Sequence, residues 1–524
     1  MAKNKERKRR EIDLKEHSEI LEATKTRSLT EQEYAKLEFA YEVLTDLLDA
    51  NRPKSPNEKN KNVLPGHSNP DAEMETPQQQ KKTRGKGKTN ADFPTSETII
   101  VGHQELQPGS PCPCCELRKL RGINRKSNFR FFEARPPITV TFYEREMLRC
   151  DDCNKDFPAP LPAGVGPDPY APSAVALIVL LKYGFGLPYY RQESLFKCLS
   201  TPIAVSTQYE LAADAEYRLR PLYNRLLHWA AQGQLAYFDD TSMKILRFER
   251  NNKDSRTGLF TTGVVSESSD FKVALLFTGR NHAGENMKKL DDRREPDLPA
   301  MIRMSDALSR NFSELEDDDD VVACCMAHGR RNFVPLIDQF PEECRHLLES
   351  IGKVYHHDKL CKEGGMNDDE RLEFHKAQSG PIMDSLKEWL LETKSKKVAE
   401  PNSKFGKAMQ YLLNHWDGLT LFLRVAGAPL DNNTAERCLK KVVLHRKNSL
   451  FYRTIKGARV GDAMMSIIQT CQLNGLDAFH FLTQALENWQ AVRAAPDHWL
   501  PWTYKATLAN RPEPIRSTIV NGKI

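Results

Sequence analysis

Two short apolar runs stop at an acid. LAYF leads into Asp239, and IRM, through Ser305, leads into Asp306. A third acid, Glu436, returns only after a long stretch with helical pattern and almost no strand character, in APLDNNTAERCLKKVVLHRKN. This order constrains the fold strongly. Strands in succession with helices after them make an α/β sheet. The helical stretch must then be an insertion that leaves the sheet and brings the last acid back to it.

Each acid has an ordinary alternative role. Asp239 and Asp240 follow one another at a strand end, and side chains alternate along a strand, so only one of the two faces a common site. Asp239 is the choice, against a turn-capping pair. Asp306 could equally cap the helix ALSRN. Glu436 fits a capping box, at the third position of a helix opened by Asn433. Its surroundings favour a site. Arg437, Lys440, Lys441, His445, Arg446 and Lys447 follow on or just beyond the same helix. Glu436 and Lys440 share a face, as do Arg437 and Lys441. Two carboxylates at strand ends and a third on a nearby helix suit hard divalent ions, which take oxygen ligands. A pair of Mg²⁺ ions (or Mn²⁺) on such a set can clamp the attacking and leaving oxygens of a phosphoryl displacement. Cations beside it would position a phosphodiester backbone. His328, Arg330 and Arg331, after the apolar run VVACCMA, are further candidates for phosphate contact, or else a basic surface helix start. His356 and His357 read as surface residues.

Upstream, residues 112–153 hold two CxxC pairs, Cys112 with Cys115 and Cys150 with Cys153. Together they can close a tetrahedral zinc site. Their separation exceeds the common zinc-ribbon range, so the intervening hairpin must be long. With eight other cysteines scattered over 524 residues, the pattern favours a structural metal over cross-links.

The rest of the chain divides by composition. Residues 1–50 comprise a basic arm and a helix opened by Ser28-Leu29-Thr30-Glu31, with a leucine-zipper-like seam of Tyr34, Leu37, Tyr41, Leu44 and Leu48. This helix either docks on its own protein or self-associates. Residues 51–95 form a polar, disordered linker containing KKTRGKGK. The zinc module spans 96–165. Residues 166–232 are helical, with a helix over Ser173–Tyr183. A second pair, turning at Thr201-Pro202 and capped by Ser206 or Thr207, is either helix-turn-helix-like or ordinary helical packing. Residues 233–458 are the catalytic unit with its helical insertion at about 334–430, and 459–524 form a helical C-terminal domain. No apolar run approaches the length of a membrane span, and the charged start has no signal-peptide core, which implies a cytoplasmic protein without a membrane partner.

These motifs together resemble the insertion-sequence sixty-six family of bacterial transposases, which are DDE recombinases. The resemblance runs from about Ser96 to Ala509. It rests on CPCC with LRCDDC, KYGFGLPYYRQESL, STQYELAADA, FDDTSM, FTGRNHAGEN, MSDALSRN, CMAHGRRNF, EPNSKFGKAMQYLLNHWDGLT, APLDNNTAERCLKKVVLHRKNSLFYRT and CQLNGLDAFHFL. It implies a ribonuclease-H-like catalytic core, with the acidic triad falling on Asp239, Asp306 and Glu436. The family's first acid is followed by another acid and a threonine, here Asp240-Thr241, which supports Asp239. The implied activity is Mg²⁺-dependent cutting of the element's ends and transfer of the freed strand to target DNA. It implies at least two protomers, with small accessory proteins as further partners. A catalytically inactive DNA-binding regulator and a nuclease that cuts without joining are the competing expectations. A zinc redox protein fits less well, because the knuckles lack a βαβ context.

Overall fold

The computed structural model describes residues 106–114, 118–121, 137–150, 155–162, 165–166, 168–248, 258–308, 311 and 321–509. The chain divides into units Met1–Thr76 and Pro77–Ile524, and every described residue lies in the second. The basic arm, the seam from Tyr34 to Leu48, the whole linker 51–95, Cys115 and Cys153 all fall outside the described residues.

In the described part of the cysteine-rich module, β1 (Met147–Arg149) pairs antiparallel with β2 (Asp156–Pro158). Cys150 follows β1 directly, and its N–H donates to Lys155 O at 3.0 Å. Cys112 stands likewise at the start of a turn, donating to Arg118 O at 2.8 Å. Ile138 buries itself with Ile178, Phe196 and Ile203 of the helices that follow.

Those helices are α1 (Pro172–Val179), α2 (Tyr189–Cys198) and α3 (Val205–Ala231). α1 runs on into a wider turn over Leu180–Gly184. The start of α3 differs from expectation. Its cap is Ala204, with no side-chain hydrogen bond, rather than Ser206 or Thr207. Burial sets the start instead: Ile203 is packed in the apolar cluster, and the buried Gln208 amide donates to its carbonyl at 2.8 Å. α3 buries Leu219, Leu222 and Leu226, and Tyr223 Oη reaches Leu276 O of the sheet at 3.4 Å.

The sheet has five strands: β3 (Leu235–Ser242), β5 (Phe260–Glu267), β6 (Lys272–Gly279), β7 (Ile302–Ser305) and β8 (Val321–Cys324), in the order β6-β5-β3-β7-β8. A short strand β4 (Ile245–Arg247) leaves β3 outside this sheet. β3, β5 and β6 form an antiparallel meander, while β7 and β8 run parallel to β3. Six consecutive residues of β5 are buried, as expected of a strand covered on both faces. α4 (Ala283–Asp291) lies before β7, and α5 (Met326–Arg331) begins just past β8.

From α6 (Pro341–Glu363) through α7 (Asp368–Gln378), α8 (Gly380–Ser395), α9 (Lys404–Asn414) and α10 (Trp416–Leu419) the chain is helical and strand-free, as the sequence suggested. Inside it, His357 is not a surface residue. Its Nδ1 lies 3.0 Å from Ser379 Oγ, which is also 2.9 Å from Nδ1 of the buried His375. His375 in turn faces Asp358, which Arg371 pairs at 2.7 Å. A polar partner 22 residues further along the chain holds it half-buried.

The chain returns to the sheet as α11 (Asn433–Ser449), then β9 (Tyr452–Thr454), α12 (Ile455–Leu473) and α13 (Ala478–Glu487). α12 lies along the open edge of β6 and serves it residue by residue. Asn474 Oδ1, Thr470 Oγ1, Ser466 Oγ and Asp462 Oδ2 accept from the N–H groups of Lys272, Ala274, Leu276 and Thr278. Four helical residues rise about 6 Å and two strand residues about 6.6 Å, so the two repeats stay in step over this length.

Candidate functional site: an acidic cluster at the strand ends

Strand register places the first two acids. Tyr237 of β3 lies opposite Met304 of the parallel β7. Asp239 and Asp306 each lie two residues further on, so they occupy equivalent positions at neighbouring strand ends. Asp239 lies opposite Gly263 of β5, and a Cβ at Gly263 would stand 2.8 Å from Leu439 Cδ2 of α11. The glycine therefore lets α11 lie close on the sheet, with Glu436 one turn before Leu439.

Alternation separates the two adjacent aspartates. Asp240 turns to the other side, where its almost fully buried carboxylate accepts from Thr262 Oγ1 at 2.6 Å and from Ala283 N–H at the start of α4 at 3.0 Å. His282 Nδ1 lies 3.1 Å from it. Asp240 is thus occupied in joining β3, β5 and α4.

Asp239 at the end of β3, Asp306 just past β7 and Glu436 on α11 lie near enough for their charges to be felt at Asp239. Burial, then the charge of Asp306, then those of Asp240 and Glu436, push the Asp239 carboxyl up to about 7, against one hydrogen bond from Asp240 N–H that opposes them. A divalent cation would offset this crowding, and oxygen donors of this type suit Mg²⁺ or Mn²⁺. As the side chains stand, no three His, Cys, Asp or Glu groups among the described residues are drawn together as a ligand set. Each carboxylate has a protein donor instead. Asp239 Oδ1 takes Asp240 N–H at 2.7 Å, and Asp306 Oδ1 takes the Asn311 amide. Glu436 Oε1 lies 3.5 Å from Arg331 Nη2 and 3.6 Å from His328 Nε2.

The capping box expected at Glu436 does not form. α11 is capped by Asn432, one residue earlier, and Asn432 makes no side-chain cap. Its fully buried amide instead donates to Phe238 O at 2.9 Å, the residue before Asp239, and its N–H donates to Cys325 Sγ at 3.2 Å. A tertiary partner has outcompeted the local one. Asn432 thereby joins the strand bearing Asp239, the approach to α5, and the helix bearing Glu436. Sequence reasoning missed it, along with Asn311. The signal available was the run Asp431-Asn432-Asn433, which entered the family resemblance and the helix start at Asn433 but gave Asn432 no role of its own.

The basic candidates divide. His328 and Arg331 reach Glu436, whereas Arg330 is half-buried, its guanidinium pKa lowered by burial. On α11, Arg437, Lys440 and Lys447 are exposed. Lys441 turns away to Gln472 of α12. Arg446 reaches back to the extension of β3, with Nη1 3.1 Å from Thr241 Oγ1 and 2.8 Å from Ser242 Oγ. His445 is buried between Tyr183 and Tyr452, and burial, with the Lys182 charge, lowers its pKa to about 3. No helix among the described residues is long and apolar enough to cross a membrane.

Comparison with known proteins shows what the chain is similar to. Over 437 residues the chain is 26% identical to an uncharacterized protein, y4hP, of Sinorhizobium fredii (strain NBRC 101917 / NGR234), covering 77% of this chain and 75% of that one. A second uncharacterized protein of the same strain, y4jD, is 26% identical over 413 residues, covering 76% and 80%. The family model described as "Transposase IS66 family" matches residues 168–460, a span that takes in the five-stranded sheet, the helical insertion and all three acids. By that match, over more than half its length, the chain belongs to the IS66 family of transposases.

Proposed function

We propose that this chain binds the ends of its own insertion sequence and cuts and transfers DNA strands at Asp239, Asp306 and Glu436, on a ribonuclease-H-like core. The observation that supports this reading is the strand register that sets Asp239 and Asp306 at equivalent positions on neighbouring parallel strands, with the charge of Glu436 on α11 felt at Asp239. A sheet of three antiparallel strands continued by two parallel ones is consistent with the core proposed.

Two Mg²⁺ or Mn²⁺ ions held by these carboxylates would supply Lewis-acid stabilisation to the attacking and leaving oxygens of an in-line displacement. The chain's own residues do the positioning. Asn432 fixes the third acid relative to the first. His328 and Arg331 lie against Glu436, and the Arg331 guanidinium offers a cationic donor to a phosphate at the same place. Arg446, at the β3 extension, together with Arg437, Lys440 and Lys447, would orient the strand by phosphate contacts. We further propose a structural zinc ion on Cys112, Cys115, Cys150 and Cys153, supported by the CxxC spacing and by the bonds from the N–H groups of Cys112 and Cys150 to Arg118 O and Lys155 O. Two element ends call for at least two protomers.

The test is incubation of the purified chain with its own element's ends and Mg²⁺, scoring 3′-strand nicks at the junction. Nicks in the wild type, lost in Asp239→Asn, Asp306→Asn and Glu436→Gln while end binding persists, are expected. Nicking that survives these substitutions would overturn the assignment. End binding without nicks, even with the element's small accessory proteins added, would leave a DNA-binding regulator.

A further inference from the structure

Beyond the acidic cluster lies a second surface of different chemistry. β4 and β9 pair in parallel, with Ile245 opposite Tyr452 and Arg247 opposite Thr454. Ile245 and Tyr452 are buried. Alternation therefore turns Lys244, Leu246, Phe451 and Arg453 to the outside, and all four are exposed. Leu246 is 50% exposed although apolar. Between α11 and β9 stands Leu450, 65% exposed, with φ at 67°. A leucine in the left-handed region is strained where glycine would not be, and here the side chain gains little packing in return.

The segments that build this surface are one-sided in charge. Residues 241–248 and 444–461 contain no Asp or Glu, but they contain Lys244, Arg247, Arg446, Lys447, Arg453, Lys456 and Arg459. The surface adjoins the acidic cluster, because Arg446 bonds Thr241 and Ser242, two and three residues past Asp239.

Cations alone would serve duplex DNA, whose backbone offers phosphates and whose bases are stacked away. Exposed apolar side chains set among cations match a strand whose base faces are free, since stacking on such side chains requires an unpaired base. We propose that this face holds an unpaired segment of DNA strand next to the acidic cluster, its phosphates on Lys244, Arg446 and Arg453 and a base against Leu246, Leu450 and Phe451. The proposal rests on the strand-cutting reading for its partner, but its test does not need cutting.

The experiment is fluorescence anisotropy of the full chain without added Mg²⁺ or Mn²⁺, with a labelled single-stranded oligonucleotide and with the blunt duplex of the same sequence. The wild type should bind the single strand more tightly. Leu450→Gly combined with Phe451→Ser should weaken single-strand binding about tenfold, as expected for loss of one stacked base, and change duplex binding less than about twofold. Leu450→Gly alone, which relieves the backbone, should keep or raise the melting temperature while weakening single-strand binding, so a folding defect cannot imitate the result. Equal wild-type affinity for the two forms, or parallel loss of both in the double variant, overturns the proposal. A chain that shows the single-strand effect yet never nicks its own ends would refute the proposed function and leave this surface standing.

Discussion

Asn432→Ala isolates the tie between the first and third acids. The substitution removes a 2.9 Å hydrogen bond from a fully buried amide to Phe238 O, while the backbone bond to Cys325 Sγ can remain. Loss of a buried bond of this type costs about 1–3 kcal/mol. Part of that is returned, because Asn432 Oδ1 is itself buried with no partner among the described residues and leaves with the side chain. A net cost of about 1–2 kcal/mol remains. If it falls on the geometry of the acidic cluster, divalent affinity should drop by about five- to thirtyfold. The assay is Mn²⁺ titration of the full chain, with free Mn²⁺ read by its paramagnetic resonance signal, alongside a thermal melt without metal. Asn432→Asp should be worse than Asn432→Ala, since it sets a carboxylate oxygen against the Phe238 carbonyl. A lowered melting temperature with Mn²⁺ affinity within about twofold of wild type would show that Asn432 supports the fold and nothing more, and the reasoning would fail.

Three further outcomes are expected. Burial raises the Asp462 carboxyl to about 7 against two hydrogen bonds from Thr278, so the fold prefers it protonated. Its contribution to stability is present in full below the unfolded value of 3.8 and is lost as pH rises to about 7, a change of about 4 kcal/mol. Asp462→Asn should therefore flatten the denaturation profile and exceed wild type in stability at pH 8, and an unchanged pH slope in urea melts would contradict this. Gly263→Ala should push Leu439 and α11 off the sheet, costing about 1–3 kcal/mol and reducing nicking by the ends assay; wild-type nicking would show that the helix can yield without moving Glu436. Elemental analysis should find one zinc per chain, lost in Cys112→Ser or Cys150→Ser, and a zinc-free preparation with unaltered spectra would remove the metal from the account.

The placement of the candidate residues was legible in the sequence where local rules and tertiary structure agree. The apolar runs before Asp239 and Asp306 did become neighbouring strands, and the two-residue period does set Asp239 and Asp240 on opposite sides. The strand-free stretch did become a helical excursion. What sequence could not give came from partners distant along the chain. Asn432 should have been a cap by local preference, and it is a bridge to β3 because Phe238 O is within reach. The start of α3 was set by burial of Ile203, not by Ser206 or Thr207. The role of Asp240 depends on Thr262 and Ala283, which no spacing rule connects to it. Lys441 and Arg446, alike on paper, point to different neighbours because five residues along a helix rotate a side chain well off its first bearing.

The polar ladder between α12 and β6 has a consequence for how copies of this protein can meet. An uncovered strand edge is a template on which another chain can add a strand, giving either a continuous intersubunit sheet or an aggregate. Here Asp462, Ser466, Thr470 and Asn474 already occupy the N–H groups that such a strand would need. Association through β6 would require α12 to peel away first, giving up four hydrogen bonds before gaining any. The ladder therefore closes the β6 edge to strand addition by a second copy.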